Sequence, residues 1–360
     1  MKWAKRVAAG LAVAAVLVQG TATPADDKPM MVVLPTGALP LGVSSSGTVV
    51  GYLRSGGAFY WMPTSGVVYL GGYQALTVSR DGRSIAGDAL DANRVHQAGI
   101  WQRAAEWRLL GSITPTAKPC DDLLSKANKS SADGRVLVSL AWDTCSIARA
   151  FRWEEGTGMV NLGTTVPNRS TRANGVSGDG KVVVGWQQLT NGTFQAAKWV
   201  DGVQTLYTGT FGPLGDAWAA NIDGSIIVGQ ECQPPNPLDQ SAWIWTTTNG
   251  VECLPVPRFR SALDGHFLGR AEATSDDGRV IGGGHAVGLE SEAVIWLDRQ
   301  PHYLKDYLHQ NGVPDAFDGW VNTGSITGIS RDGRVVVGFG AGPEDFTGYL
   351  VVLPAPGDEK

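Results

Sequence analysis

The feature that most constrains this chain is a motif that returns seven times. A Ser-x-Asp-Gly-like turn leads into a β-branched run that ends, in most copies, on Gly. The copies are SSSGTVVG (44–51), SRDGRSIAG (79–87), SADGRVLVS (131–139), SGDGKVVVG (177–185), NIDGSIIVG (221–229), SDDGRVIGG (275–283) and SRDGRVVVG (330–338). A period of 35 to 55 residues is the mark of an array or a propeller.

Two further elements keep step with the turn. An Ala stands three residues before a Trp in the first six copies: Ala58/Trp61, Ala98/Trp101, Ala150/Trp153, Ala196/Trp199, Ala242/Trp245 and Ala293/Trp296. From Gly82 to Trp101, Gly134 to Trp153 and Gly180 to Trp199 the offset is the same. A Gly-x-x-x-Leu-like segment closes most copies, as in GVVYLGG (66–72), GMVNLGT (158–164), GVQTLY (202–207) and GVECLP (250–255). Each repeat therefore reads as four short strands. Asp-Gly between apolar runs marks a hairpin, because Gly takes positive φ at little cost. Runs apolar on successive residues, such as Val182-Val183-Val184, mark strands covered on both faces. The 48 glycines, nearly twice the usual share of about 7%, fit many tight turns.

The ends of the chain complement each other. The seventh repeat stops after its third strand, at 348–353. The segment Met31-Val32-Val33-Leu34-Pro35-Thr36 resembles the fourth strand Met159-Val160-Asn161-Leu162-Gly163-Thr164. The expectation is an all-β, seven-bladed β-propeller closed by the N-terminal strand completing the last blade, which leaves no open edge. Only 303–311 (YLKDYLHQN) departs from strand character. Leu304, Tyr307 and Leu308 have helical spacing before Gly312, so a short helix is expected there.

Lys2, Lys5 and Arg6 precede the uncharged apolar run 7–18, and Gly20-Thr21-Ala22 supplies small residues for cleavage. This is the pattern of a signal peptide over 1–22, with a run too short to span a bilayer. Residues 23–29 read as a linker, 30–354 as the propeller and 355–360 as a polar tail. Without 1–22 the chain has 26 basic and 34 acidic residues, a net of −8, and no basic cluster. Nucleic acid is thereby disfavoured as a partner. In an exported protein the four cysteines are expected as disulfides, Cys120 with Cys145 and Cys232 with Cys253, each pair inside one repeat. No CxxC or neighbouring His supports a metal site.

These motifs resemble the bacterial extracellular HAF repeats, named for a His-Ala-Phe tripeptide. The likeness rests on Gly57-Ala58-Phe59-Tyr60-Trp61, Arg149-Ala150-Phe151-Arg152-Trp153, the seven turns, Gly158-Met159-Val160-Asn161-Leu162-Gly163, and the region from Leu304-Lys305-Asp306-Tyr307-Leu308 to Gly328-Ile329-Ser330-Arg331-Asp332-Gly333. It covers nearly all of 31–353. The His is absent before every Ala here. The resemblance implies an exported propeller and no particular activity, and it carries over no catalytic residue.

Asp81, Asp133, Asp179, Asp223, Asp277 and Asp332 share one turn position, so a turn requirement explains all six. The repeat tryptophans suit packing between blades. Trp142, Trp186, Trp218 and Trp320 fall outside that slot. They are expected towards one face, beside the long connections 111–126, 230–241, 255–270 and 305–325. Variable loops on a regular scaffold are where binding concentrates. Aromatic platforms there could stack on sugars or grip a peptide; equally, the rings could plug the channel or cover blade edges. Of five histidines, His266 and His285 flank two strands of the sixth repeat, with Asp264 and Glu290 on the same side. They are weak catalytic candidates; no GxSxG, HExxH or phosphate loop accompanies them. The leading reading is a periplasmic or extracellular scaffold, monomeric and without cofactor, that binds an envelope glycan or protein through its loop-rich face. An envelope lyase or hydrolase acting at the channel mouth is the second reading, and a matrix repeat protein the third.

Overall fold

The computed structural model describes residues 28–101, 106–210, 212–232, 239–257, 267–287 and 290–354. The expected signal peptide, the polar tail, Asp264 and His266 lie outside the described residues, as do parts of the connections 230–241 and 255–270. The described residues are all-β with one short α-helix, α1 (Leu304–Gln310).

The first four repeats form four separate four-stranded antiparallel sheets. In the fourth the strands are Thr171–Val176, Val182–Gln188, Phe194–Val200 and Val203–Leu206, each paired with the next. The later repeats pair in the same way, but single bridges (Gln230 to Arg270, Gly284 to Ser325) and a two-residue parallel pairing (Asp239 to Phe267, Gln240 to Leu268) link them into one twelve-stranded system. Strand β1 (Met30–Thr36) pairs antiparallel with Phe346–Val352, in the register Met30 to Val352 and Val33 to Tyr349. The first strand of the chain thus extends the last sheet.

The Ser-x-Asp-Gly turn is held by its own side chains. Ser177 Oγ donates to Asp179 Oδ1 (2.6 Å) and accepts from the Val182 N–H (2.9 Å), while Asp179 Oδ1 also accepts from the Lys181 N–H (3.0 Å). The same three bonds recur at Ser79, Ser131, Ser275 and Ser330. Asn221 stands in for the Ser, accepting from the Ile226 N–H (2.9 Å). The aspartates are occupied in the turns. Hydrogen bonding to Ser79 holds the Asp81 carboxyl below the usual range.

The glycine that ends the β-branched run has an equally local cause. In six repeats the innermost strand carries a bulge, as between Ala173 and Gly175, and this Gly faces it across the ladder. A Cβ on Gly185 would collide with the carbonyl of Arg172, and one on Gly51, Gly87, Gly229, Gly283 or Gly338 with the equivalent carbonyl. The third repeat has Ser139 there, and its innermost strand shrinks to Lys129–Ser130.

Each buried apolar cluster joins two consecutive sheets. One sets Val136, Val138 and Ala150 of the third repeat against Val183, Ala197 and Trp199 of the fourth. Another sets Val335, Val337, Leu350 and the β1 residues Val32 and Leu34 against Val49, Phe59 and Trp61 of the first. Ala58, Ala98, Ala150, Ala196, Ala242 and Ala293 are fully buried, which is why no larger residue stands three before the Trp. Helix α1 buries Leu304 and Leu308 in the cluster between the last two repeats. Backbone bonds also run from turn to turn: Ser45 N–H to Arg80 O (3.1 Å), Arg80 N–H to Ala132 O (2.8 Å), Ala132 N–H to Gly178 O (2.9 Å), Asp179 N–H to Ile222 O (2.8 Å) and Asp276 N–H to Arg331 O (2.8 Å).

Cys120 and Cys145 form one disulfide (Cα–Cα 4.4 Å), and Cys232 and Cys253 the other (5.6 Å). Both pairings are those expected from the sequence.

The collision at the bulge yields a direct test. Gly185→Ala should cost about 2–3 kcal/mol by forcing two hydrogen-bonded strands apart. Denaturant unfolding of the variant at native-like stability would refute the role given to this glycine.

Candidate functional site

The innermost strands surround a central cavity to which all seven repeats contribute, from Gly42 and Thr77 to Trp218 and Gly328. It is narrow, about 80 Å³. Ligand pockets usually enclose about 300–1,000 Å³. A sugar or peptide is therefore excluded from its depth and would have to engage its mouth.

At the mouth away from the turns, the side chains come from the fifth residue before each turn's Ser or Asn. That position holds Gln74, Lys126, Arg172, Asp216, Arg270 and Ser325 in repeats two to seven. The bulge two residues later explains why it recurs. Its carbonyl rests on the run-ending Gly, so the innermost strand is fixed at this point in repeat after repeat.

The result is a belt of charges of both signs. Burial raises the Asp216 pKa to about 6, the charge of Glu231 adds to this, and Arg172 partly offsets it. Burial lowers the pKa of Arg172, against the pull of Asp216. Burial also lowers that of Lys126, which lies between Asp88 and Arg172 in the field of both. Arg270 Nε pairs with Glu272 (3.0 Å). Three buried polar atoms in and beside this belt have no hydrogen-bond partner among the described residues: Arg172 Nε, Asn174 Oδ1 and Asp88 Oδ1. Such groups are costly unless something completes them.

Beside the belt, His96 Nδ1 lies 3.1 Å from Asp88 Oδ2. The Asp88 side chain is 1% exposed and the His96 side chain 21%. Tyr73 packs edge-on against the imidazole at 4.4 Å. A buried carboxylate that orients a partly exposed imidazole can hold a proton at the outer nitrogen. Burial raises the Asp88 pKa, opposed by Lys126 and His96.

Trp142, Trp186, Trp218 and Trp320 do not form one platform; none of their rings stacks on another of the four. Trp218 lies within the innermost strand Ala217–Ala220, not in a connection before it. It lines the central cavity and donates from Nε1 to Gln230 Oε1 (3.1 Å). Trp186 lies opposite Arg172 on its strand and packs on exposed Phe194, ring centres 4.5 Å apart. The indole N–H of Trp142 is buried without a partner among the described residues. Trp320 packs on Phe317 (5.1 Å) and Tyr349 (6.0 Å) in the cluster under α1.

His285 is 3% exposed, inside the strand Val280–Val287, with Nδ1 3.4 Å from the Tyr303 hydroxyl. Burial lowers its pKa to about 4, so it is neutral at physiological pH. It does not line the central cavity. The Asp88–His96 pair was missed in the sequence, although two polar residues bracketing a five-residue turn, 91–95, were a visible signal. The belt had none, because its position holds a different residue in each repeat.

Two groups give opposite pH signatures. Asp216 has its folded pKa raised from 3.8 to about 6, so its contribution is full below pH 4 and is lost as pH rises through 6. His285 has its pKa lowered from 6.5 to about 4, so its contribution is full above pH 6.5 and is lost as pH falls towards 4. Each is worth about 3 kcal/mol over its window. Relative to the native protein, Asp216→Asn should gain stability from pH 4 to 7, and His285→Gln should gain as pH falls from 7 to 4. Unfolding curves across this range that run parallel to native would reject both assignments.

No known protein-family model matches the chain, and no curated protein matches it in sequence. In fold it is similar to a solved prolyl endopeptidase, with TM-score 0.52 and 12% identity over 96% of this chain and 53% of the other. It is also similar to the β-propeller domain of the Trilobed protease from Pyrococcus furiosus (TM-score 0.49, 10% identity, 87% of this chain and 91% of that). A protein described as TolB from Agrobacterium tumefaciens matches with TM-score 0.47 and 13% identity, over 77% and 89% of the two chains. At such identities the likeness concerns the scaffold alone.

Proposed function

We propose that the chain is an exported β-propeller of seven blades, of the HAF-repeat kind, that binds a glycan or protein of the cell envelope at its loop-face mouth. The ring reading is supported by β1 completing the last sheet and by the apolar cluster that packs the last repeat on the first. Thr327 Oγ1 also donates to Pro40 O across that junction (2.8 Å). Export is supported by the N-terminal sequence and the two disulfides. Among the described residues no helix is long and apolar enough to cross a membrane.

The observation that carries the binding reading is the belt itself. Arg172, Asp216 and Lys126 are desolvated at the end of a channel, and Arg172 Nε has no acceptor among the described residues. Hydroxyl and amide groups can complete donors and acceptors set side by side, and Trp218 adds an apolar face. The narrow channel favours surface engagement over threading. A second reading, hydrolysis or elimination on a bound envelope polymer, is favoured by the Asp88–His96 pair alone.

Mature protein immobilised against envelope extract and a glycan panel separates these readings. Arg172→Gln and Trp218→Ala should each weaken capture tenfold or more while the fold is retained. Undiminished capture by both would remove the belt from consideration. Turnover of a captured polymer that His96→Ala abolishes without loss of capture would favour the enzyme.

A further inference from the structure

The turn-side half of the channel carries a second charge cluster, separate from the belt. In six repeats the second residue before the turn's Ser or Asn is small: Gly42, Thr77, Gly175, Ala219, Ala273 and Gly328. In the third repeat it is Lys129, and its side chain lines the central cavity. The residue after the turn's Ser adds Arg80, Arg331 and Asp276; the two arginines line the same cavity.

The charges there do not balance. Asp276 is shared by Arg80 and Arg331; Arg331 Nη1 lies 3.3 Å from Asp276 Oδ1. Arg331 Nη2 also reaches Ser130 O at 3.4 Å. Glu272, which also lines the cavity, is held by Arg270 (3.0 Å) and accepts from the Ser325 hydroxyl (2.7 Å). The Lys129 ammonium has no hydrogen bond or ion pair among the described residues. Lys129 also feels the attraction of Glu272, whose carboxyl is already held by Arg270. Lys129, Arg80 and Arg331 therefore face Asp276 and Glu272, an excess of one positive charge in a confined space, and Arg270 adds another beside Glu272. Like charges held together out of bulk water repel strongly unless a counter-ion joins them. Burial lowers the pKa of both Lys129 and Arg331; on Lys129 this is opposed by Glu272 and reinforced by Arg331, and on Arg331 it is reinforced by Arg80.

We propose that the turn-side half of the channel binds one small tetrahedral oxyanion, phosphate or sulfate, between Lys129, Arg80 and Arg331. The cavity of about 80 Å³ suits such an ion with a water or two and excludes a sugar or peptide. Two guanidinium groups offer planar pairs of donors to oxyanion edges, and the ammonium supplies a third charge. The ion would tie the third, second and seventh repeats together at the axis. The site is independent of the ligand proposed for the loop face.

Titrating purified mature protein with sodium phosphate and with sodium sulfate, against sodium chloride at equal ionic strength, tests this by calorimetry and by thermal unfolding. One oxyanion per chain should bind, and Tm should rise with its concentration beyond the chloride control. Lys129→Gln should weaken binding at least tenfold, and in anion-free buffer it should melt no lower than native, because it relieves repulsion. Arg80→Gln, at a half-exposed position, provides a second variant that keeps the fold and should weaken binding several-fold. Absence of an oxyanion effect beyond chloride in the native protein would overturn the proposal. So would equal oxyanion binding by native protein and by both variants.

Discussion

Everything in this protein depends on the packing of one sheet's apolar face on the next. No sheet of four short strands buries both of its faces alone. Each buried cluster draws residues from two neighbouring repeats, and the tryptophan of each Ala-x-x-Trp lies at or beside such a seam. The stability of a repeat is therefore held by its neighbours, as in other repeat architectures. The residues that look most repetitive in the sequence are those that serve this packing. Fully buried Ala lets the strands come together, Trp fills the space beyond, and Gly accepts the carbonyl of a bulged neighbour.

That bulge links packing to function. It sets the innermost strand at a fixed depth, so one strand position meets the loop-face end of the channel and another meets the turn-side end. The scaffold is invariant at the seams and free at these positions. Arg172, Asp216 and Lys126 at one level, and Lys129 with Arg80 and Arg331 at the other, use that freedom. Their desolvation is a consequence of where the stacked sheets place them, since the strands carrying them are ordinary inner strands. The third repeat departs from the rule at two places together. It has Ser139 in place of Gly and a shortened inner strand, and it is also the repeat that contributes Lys126 and Lys129 to the two levels.

The turns show why a recurrent acidic residue need not be a site. Each aspartate accepts from a backbone N–H two residues on, and in most copies also from the Ser hydroxyl, which occupies the carboxylate oxygen nearest the chain. Residues whose chemistry is not spent on the fold are elsewhere. The Asp88–His96 pair sits on a hairpin whose strands put Asp88 opposite Ala98, two residues from His96. Trp218 and Trp320, alike in sequence as rings near the start of a repeat, separate into a channel wall and a buried seam.

The sequence by itself determined the repeat, the four strands in each copy, the turn chemistry, the short helix at 304–310 and the two cysteine pairs. All of these follow from local rules: positive φ at Gly, alternation and runs of β-branched residues, and short separations along the chain. The convergence of side chains was decided by tertiary structure alone. Lys126, Arg172 and Asp216 lie dozens of residues apart and share no residue type, so no periodicity of composition announces them. Only the stacking of successive sheets around an axis brings equivalent positions together and removes their water. Charge at those positions then acquires a meaning that it lacks along the chain.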